Sequence, residues 1–381
     1  MDSAAARIPV LWVCGPPGVG KTTVAWEIHS RLKRAGIAAG YADIDQLGIC
    51  YPEPASDPGR HRMQADNLGA VVSAYRAAGA RCVVVSGVVD AARGVHTDRI
   101  PHAALTVCRL RAERDVLERR FTARDGAGAD AVADVLREAD ALDAGGIGDV
   151  CVDTTGLPVA EVARRVRAST GGWPGTDLPA ARQVPDVPAA AGADGPVLWL
   201  CGAAGVGKST VGFALYLRLL RAGLTAAYLD LEQIGFLRPA PPDDPGNHRV
   251  KARNLAAVWR TYRAAGARCL TVSGPMEDAA TLAAYTKALP AATFTVCRLH
   301  AGREQLTSRI MSRGQGGSWA QPGDPLRGRS TARLLGVADA AAAQARALER
   351  SAVGDLRIDT DTYTAEEAAG TILTRTGWPA R

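Results

Sequence analysis

Gly15-Pro16-Pro17-Gly18-Val19-Gly20-Lys21-Thr22-Thr23 follows an apolar run, Ile8–Cys14, and precedes a stretch in which Val24, Ile28 and Leu32 recur every fourth residue. The spacing G-x-x-x-x-G-K-[ST] between a strand and a helix suits a triphosphate. Glycines let the backbone fold so that successive N–H groups point at phosphate oxygens. The helix N-terminus adds its dipole. Lys21 is placed to bridge the β- and γ-phosphates, and Thr22 to offer its hydroxyl to Mg²⁺. The whole run Gly15–Thr23 is therefore a candidate nucleotide-binding loop.

The pattern returns 187 residues later as Gly202-Ala203-Ala204-Gly205-Val206-Gly207-Lys208-Ser209-Thr210, with Lys208 and Ser209 in the roles of Lys21 and Thr22. The same offset relates Tyr41 to Tyr228, Asp43 to Asp230, Gln46 to Gln233, His61 to His248, Arg62 to Arg249, Asn67 to Asn254 and Tyr75 to Tyr262. Gly172-Trp173-Pro174 and Gly377-Trp378-Pro379 close the two copies. A chain that repeats at this length is a tandem duplication of one domain. The expected domains are 7–174 and 196–379, joined by an alanine- and proline-rich linker at 175–195.

Each copy alternates strand and helix. In the first, strands are expected at Ile8–Cys14, Ile37–Asp45, Arg81–Ser86, Leu105–Leu110 and Val150–Asp153. Helices are expected after the loop and at Arg62–Ala78, Ala112–Ala123, Asp130–Asp143 and Val159–Ala168. That order makes an α/β fold: two tandem domains, each an open parallel sheet of about five strands with helices on both faces.

The chain has 381 residues, 47% hydrophobic and 22% charged, enough to bury a core in each half. No apolar run reaches the ~18–20 residues of a membrane span, and the first apolar run leads into the loop, so no signal peptide is expected. The net charge of +6 and an aromatic content of 5% give no basic, aromatic-lined surface for nucleic acid. The eight cysteines include no C-x-x-C pair and sit mostly in strand-like runs. They read as buried free thiols, and the expected compartment is the cytoplasm.

No guanine-reading N-K-x-D and no LSGGQ-like signature is present. The strand after the second helix ends Val85-Ser86-Gly87, and in the second copy Val272-Ser273-Gly274, without the acid that motor-like ATPases carry there. The carboxylates stand one strand earlier, at Asp43-Ile44-Asp45 and Asp230-Leu231-Glu232. On a strand, alternate residues share a side, and the carboxyl end of a parallel strand overlooks the ligand crevice. Asp43, Asp45, Asp230 and Glu232 are thus candidates to accept a substrate proton or to hold Mg²⁺.

With these features the chain resembles the small P-loop kinases, in particular the adenylylsulfate kinase and chloramphenicol phosphotransferase group. The resemblance spans both copies and rests on the loops, the strand-two acids, an arginine-bearing helix after strand four and the final strand, Val152–Gly156 and Ile358–Thr360. It implies P-loop NTPase domains of kinase type that take ATP and Mg²⁺ and move the γ-phosphoryl group to a hydroxyl of a small molecule. It also implies adenine contact near Thr154 and Thr360. Ser86-Gly87 departs from the Ser-Pro of adenylylsulfate kinases, which argues against a sulfate-pathway acceptor.

Arg120 and Arg124 fall four apart on one helical face, as do Arg309 and Arg313, each pair ahead of a glycine-rich stretch (126–128 and 314–323). Such arginines are expected on a lid that closes over the phosphates. His61, Arg62 and Asn67, with His248, Arg249 and Asn254, follow the acid-bearing strand and are candidate acceptor-binding residues. Gln64 stands against Lys251, so the two copies need not hold the same ligand. The competing class is an internal pseudo-dimer of the two halves that hydrolyses ATP for regulation or assembly, without a small-molecule acceptor.

Overall fold

The computed structural model describes residues 7–125, 128–176, 178, 193–317 and 324–379, with the side chains of Arg124 and Asp125 outside that set. Most of the expected linker at 175–195 lies outside the described residues. In chain order the first copy forms β1 (Ile8–Cys14), α1 (Lys21–Arg34), β2 (Ala39–Asp43), β3 (Cys50–Tyr51), α2 (His61–Ala77), β4 (Cys82–Ser86), β5 (Ala103–Arg111), α3 (Arg114–Asp125), α4 (Ala129–Ala144), β6 (Val150–Asp153) and α5 (Val159–Ser169). The second forms β7 (Gly195–Cys201), α6 (Lys208–Arg221), β8 (Ala226–Asp230), β9 (Phe236–Arg238), α7 (His248–Ala264), β10 (Cys269–Ser273), α8 (Ala279–Ala288), β11 (Ala292–His300), α9 (Arg303–Gly314), α10 (Thr331–Ser351), β12 (Leu356–Asp359) and α11 (Ala365–Thr376).

These elements build two sheets of six strands, in the orders β6-β5-β1-β4-β2-β9 and β12-β11-β7-β10-β8-β3. Five strands of each are parallel, as the alternation of strand and helix requires. The sixth corrects the expected five-stranded parallel sheet. It is antiparallel, and it comes from the other copy: β9 pairs with β2, and β3 pairs with β8. The two compact units therefore differ from the two sequence repeats. Unit 1 takes the described residues of Met1–Gly48, Ser56–Asp186 and Gly235–Val250; unit 2 takes those of Ile49–Ala55, Val187–Ile234 and Lys251–Arg381. Strands of two and three residues carry no readable period, so nothing local marks them.

In unit 1 the sheet buries Leu11, Val13, Val84, Cys108 and Leu110 against Val24, Ile28 and Leu32 of α1 and Val162 and Val166 of α5. A buried leucine or valine contributes about 1.5–3 kcal/mol in this way. On α2, Tyr75 donates its hydroxyl to Tyr41 O at 2.9 Å. Gly40 makes room for that ring, because a Cβ there would stand 2.5 Å from Tyr75 Cδ2. The exchanged strand is fastened by Phe236, whose ring meets Trp26 at 5.0 Å and Tyr41 at 5.7 Å between centroids, both edge-on. Asn247, fully buried, donates to Gly235 O and Leu237 O and holds the turn leading into β9.

In unit 2, Leu198, Leu200 and Leu299 pack on Val211, Leu215 and Leu219 of α6 and on Ile372 of α11. The second copy also carries α8 between β10 and β11, where the first has only a 3-10 turn, Thr97–Arg99. Seven of the eight cysteines are buried and all are free thiols; Cys151 is exposed. Among the described residues no helix is long and apolar enough to cross a membrane.

Candidate active sites

Both glycine-rich loops run from the end of a central strand into a helix N-terminus. Gly15 has φ 141°, and a Cβ there would lie 2.5 Å from Leu110 O; Gly202 repeats this with φ 140° against Leu299 O. Gly20 and Gly207, both left-handed, open α1 and α6, so that Lys21 and Lys208 are the first helical residues. Lys21 is buried. Lys208 Nζ donates to Gly202 O and Ala203 O, each at 3.0 Å, and burial lowers its pKa.

The strand-two acids close on these loops. Thr22 Oγ1 donates to Asp43 Oδ2 at 3.4 Å, and Ser209 Oγ to Asp230 Oδ2 at 2.7 Å. In unit 1 Ser86 Oγ also donates to Asp43 Oδ2, at 3.1 Å. With its proton so committed, Ser86 accepts from Tyr41 OH at 2.8 Å. Ser273, at the matching place in unit 2, donates instead to Lys208 O at 3.0 Å. Both acids are buried. Burial first, and the neighbouring Asp45 charge second, push the Asp43 carboxyl up to about 6, against the pull of the Asp45 N–H, Ser86 and Lys21. Asp230 is raised for the same leading reason, with the Ser209 hydroxyl and the Glu232 N–H opposing it.

Asp45 and Glu232 do not continue the strand, which corrects their placement as alternate residues of one strand. β2 stops at Asp43, which caps a 3-10 turn, Ile44–Leu47, by accepting from Asp45 N at 3.1 Å. Asp230 does the same for Glu232 N at 2.9 Å. The second acid of each copy thus rides on the turn beyond the strand. Asp45 is exposed and makes no side-chain hydrogen bond or ion pair among the described residues. Glu232 Oε1 receives a bond from Lys251 Nζ at 2.7 Å.

Arg120 and Arg309 are engaged at the ends of the last strands. Arg120 donates to Thr154 Oγ1 and O at 2.9 and 3.1 Å. Arg309 donates to Thr360 Oγ1 and O at 3.0 and 2.6 Å, and to Val206 O of the loop at 3.1 Å. Each braces the turn after the final strand. Arg313 pairs with Asp324 at 2.5 Å, and its charge helps to depress Lys208. The side chain of Arg124 lies outside the described residues, as do 126–127 and 318–323 of the expected lid glycines.

The expected acceptor-binding residues separate into two groups. Asn67 and Asn254 are fully buried and donate to Leu47 O and Ile234 O, both at 2.7 Å, pinning the turn that carries the second acid. Each leaves its Oδ1 without a partner among the described residues. His61 and His248 begin α2 and α7. Asp57 accepts from Arg62 N and Met63 N, and Asp244 from His248 N and Arg249 N, so the shared Asp-Pro-Gly segment caps these helices. Arg249 also pairs with Asp243 at 2.6 Å. Sequence reasoning missed Ser86, Asp324 and Gln344, whose Oε1 accepts from Ala204 N at 3.3 Å. Only Ser86 was marked, by ending the strand where an acid is usual.

No family model and no curated protein matches the chain. Solved structures similar to it include a sugar kinase from Janibacter sp. (19% identity, 44% of this chain and 96% of that one, TM-score 0.33). They also include a gluconokinase from Sinorhizobium meliloti (19% identity, 44% and 96%, TM-score 0.30) and an APS kinase from Mycobacterium tuberculosis solved with AMPPNP and APS (20% identity, 48% and 96%, TM-score 0.31). Each similarity covers less than half of this chain at low identity.

Proposed function

We propose that the protein is an ATP-dependent phosphotransferase that moves the γ-phosphoryl group to a hydroxyl of a small molecule. The observation that carries this reading is the contact of the loop hydroxyl with the strand-two acid, Thr22 with Asp43 and Ser209 with Asp230. A hydroxyl and a buried carboxylate are hard oxygen donors, and Mg²⁺ is commonly held by one or two such side chains together with substrate phosphates. Thr22 with Asp43, and Ser209 with Asp230, would hold Mg²⁺, which supplies charge neutralisation at the β- and γ-oxygens. The loop N–H groups and Lys21 or Lys208 bind the phosphates.

The proton is left to the second acid. The acceptor oxygen forms its bond to the γ-phosphorus as the bond to the bridging β-oxygen breaks, ADP departs, and the hydroxyl proton passes to a carboxylate on the Asp45 or Glu232 turn. Residues at the start of α2 and α7, among them His61, Arg62, His248 and Arg249, are proposed to contact the acceptor. The test is a panel of hydroxyl-bearing metabolites with γ-labelled ATP. Label transferred to one of them supports the reading. Phosphate released to water at the same rate with and without every acceptor points to an ATPase.

A further inference from the structure

The two sites share a plan but differ in what their reactive groups are doing. In unit 2 the groups are taken up by their own unit. Lys208 bonds loop carbonyls, and Arg313 is tied to the buried carboxylate of Asp324. Gln344 occupies the Ala204 N–H, a loop donor that faces phosphate when nucleotide binds. Above all, Glu232 is bonded by Lys251, whose side chain is only 5% exposed while Glu232 is 46% exposed. The carboxylate that would receive the acceptor's proton is already the acceptor of a charge-assisted bond, and such bonds are about twice as strong as neutral ones.

Unit 1 differs at the places equivalent to Lys208, Ala204, Gln344 and Lys251; the side chain of Arg124, the counterpart of Arg313, lies outside the described residues. Gln64 stands where Lys251 does, and it carries no charge. It is buried against Gly48, the residue that ends the Asp45 turn, where a Cβ would lie 2.8 Å from its Cγ and Nε2. Pro17 replaces Ala204 and has no N–H to give. Glu138 replaces Gln344; the register is fixed by Asp149 and Asp355, which accept from Val107 N and Val296 N and lie the same distance downstream. Lys21 Nζ and the Asp45 carboxylate make no hydrogen bond among the described residues.

We propose that the two sites are unequal: unit 1 performs the transfer with Asp45 as proton acceptor, while Lys251 locks Glu232 and leaves unit 2 to bind nucleotide without turning over. Lys251 is a positioning residue that acts through Glu232. This rests on the phosphotransferase reading above, and it is tested by exchanging the lock. Lys21→Met should lower transfer at least 100-fold. Lys21→Met/Lys251→Gln, which gives unit 2 the residue of unit 1, should recover at least tenfold over Lys21→Met. Gln64→Lys alone should lower transfer about 10–100-fold with ATP affinity within about threefold, because it installs the lock without touching the loop. Lys251→Met serves as a second release of Glu232, and calorimetric nucleotide binding checks that each variant is folded. Transfer by Lys21→Met above a tenth of the parent, or a double variant no faster than Lys21→Met with either release, overturns the proposal. Phosphate release to water is measured on the same proteins. If no acceptor is found but hydrolysis follows this order, the kinase reading fails and the inequality stands. A parent with neither transfer nor hydrolysis overturns both.

Discussion

Ser209 Oγ and Asp230 Oδ2 meet at 2.7 Å, joining the first turn of α6 to the end of β8. Thr22 and Asp43 form the same link at 3.4 Å in unit 1. A side chain from the start of the loop helix and one from a strand two places away in the sheet thus meet in each unit.

Asp43 should show opposite signs in activity and stability. Its carboxyl is raised to about 6 in the free protein, and holding Mg²⁺ needs it ionised, so kcat/KM for Mg²⁺-nucleotide, which reads the free protein, should climb as pH rises through about 6 and then level. The folded state favours the protonated form relative to the unfolded chain. The stability that form contributes is complete below the ordinary carboxylate range and is lost as pH rises through about 6. Asp43→Asn, neutral at every pH, should therefore melt a few degrees higher than the parent near pH 7.5, lose that advantage near pH 4, and transfer more slowly, because the amide lacks the charge that would hold Mg²⁺. Thermal melts across pH with parallel rate measurements check both.

His29 should act on stability in the other direction. It is buried, and burial favours the neutral ring against the opposing pull of Ala39 O, to which Nε2 donates at 3.1 Å. Burial lowers its pKa to about 4. That contribution is full above the ordinary histidine value, about 6.5, and is lost as pH falls from there towards 4. His29→Gln, whose amide can reach the same carbonyl, should flatten the fall in melting temperature between pH 6.5 and 4.5. An unchanged slope would place the acid sensitivity elsewhere.

Lys21→Ala and Lys208→Ala should each remove one of two ATP sites in calorimetry, with ATP bound in preference to GTP because no guanine-reading motif is present. Two intact sites in the double variant would end the loop assignment.

Arg120 distinguishes a brace from a lid. Its two bonds to Thr154 hold the turn after β6, and leaving buried polar groups unpaired costs about 1–3 kcal/mol. Arg120→Ala should lower the melting temperature and weaken ATP binding. Lysine should restore little, since a single ammonium does not copy the two-pronged guanidinium. A fall in turnover with melting temperature and ATP affinity unchanged would mark a lid arginine.

Phe236→Ala should destabilise unit 1 by about 1–3 kcal/mol, because it strips the exchanged strand of its ring contacts with Trp26 and Tyr41. Chemical denaturation followed by tryptophan fluorescence reads this loss.

The loops, the acids and most helices were legible because each is written in a short local pattern: glycines at fixed offsets, or apolar residues every third or fourth place. Val150–Asp153 is read to the residue. The rest lies in contacts between distant positions. Asp45 looked like strand until Asp43 turned its side chain onto the next N–H and ended β2. Arg120 and Thr154 are 34 residues apart, and Lys251 and Glu232 are 19 apart. Pairs at that separation leave no periodic trace; the mismatch of Gln64 with Lys251 across the repeat suggested only that the two copies need not hold the same ligand.

The exchange of β3 and β9 has a consequence for the history of such a chain. A tandem duplication is ordinarily reversible, since recombination between the copies restores a single gene for a self-sufficient domain. Here a protein ending before the second copy would lack Phe236–Arg238 at the edge of the first sheet, and one starting after the first copy would lack Cys50–Tyr51 at the edge of the other. Each remaining copy would keep its loop and its acids but present the bare edge of β2 or β8 to solvent, a template for pairing with other chains. Deletion of either half would thereby expose a sheet edge that the intact chain keeps paired.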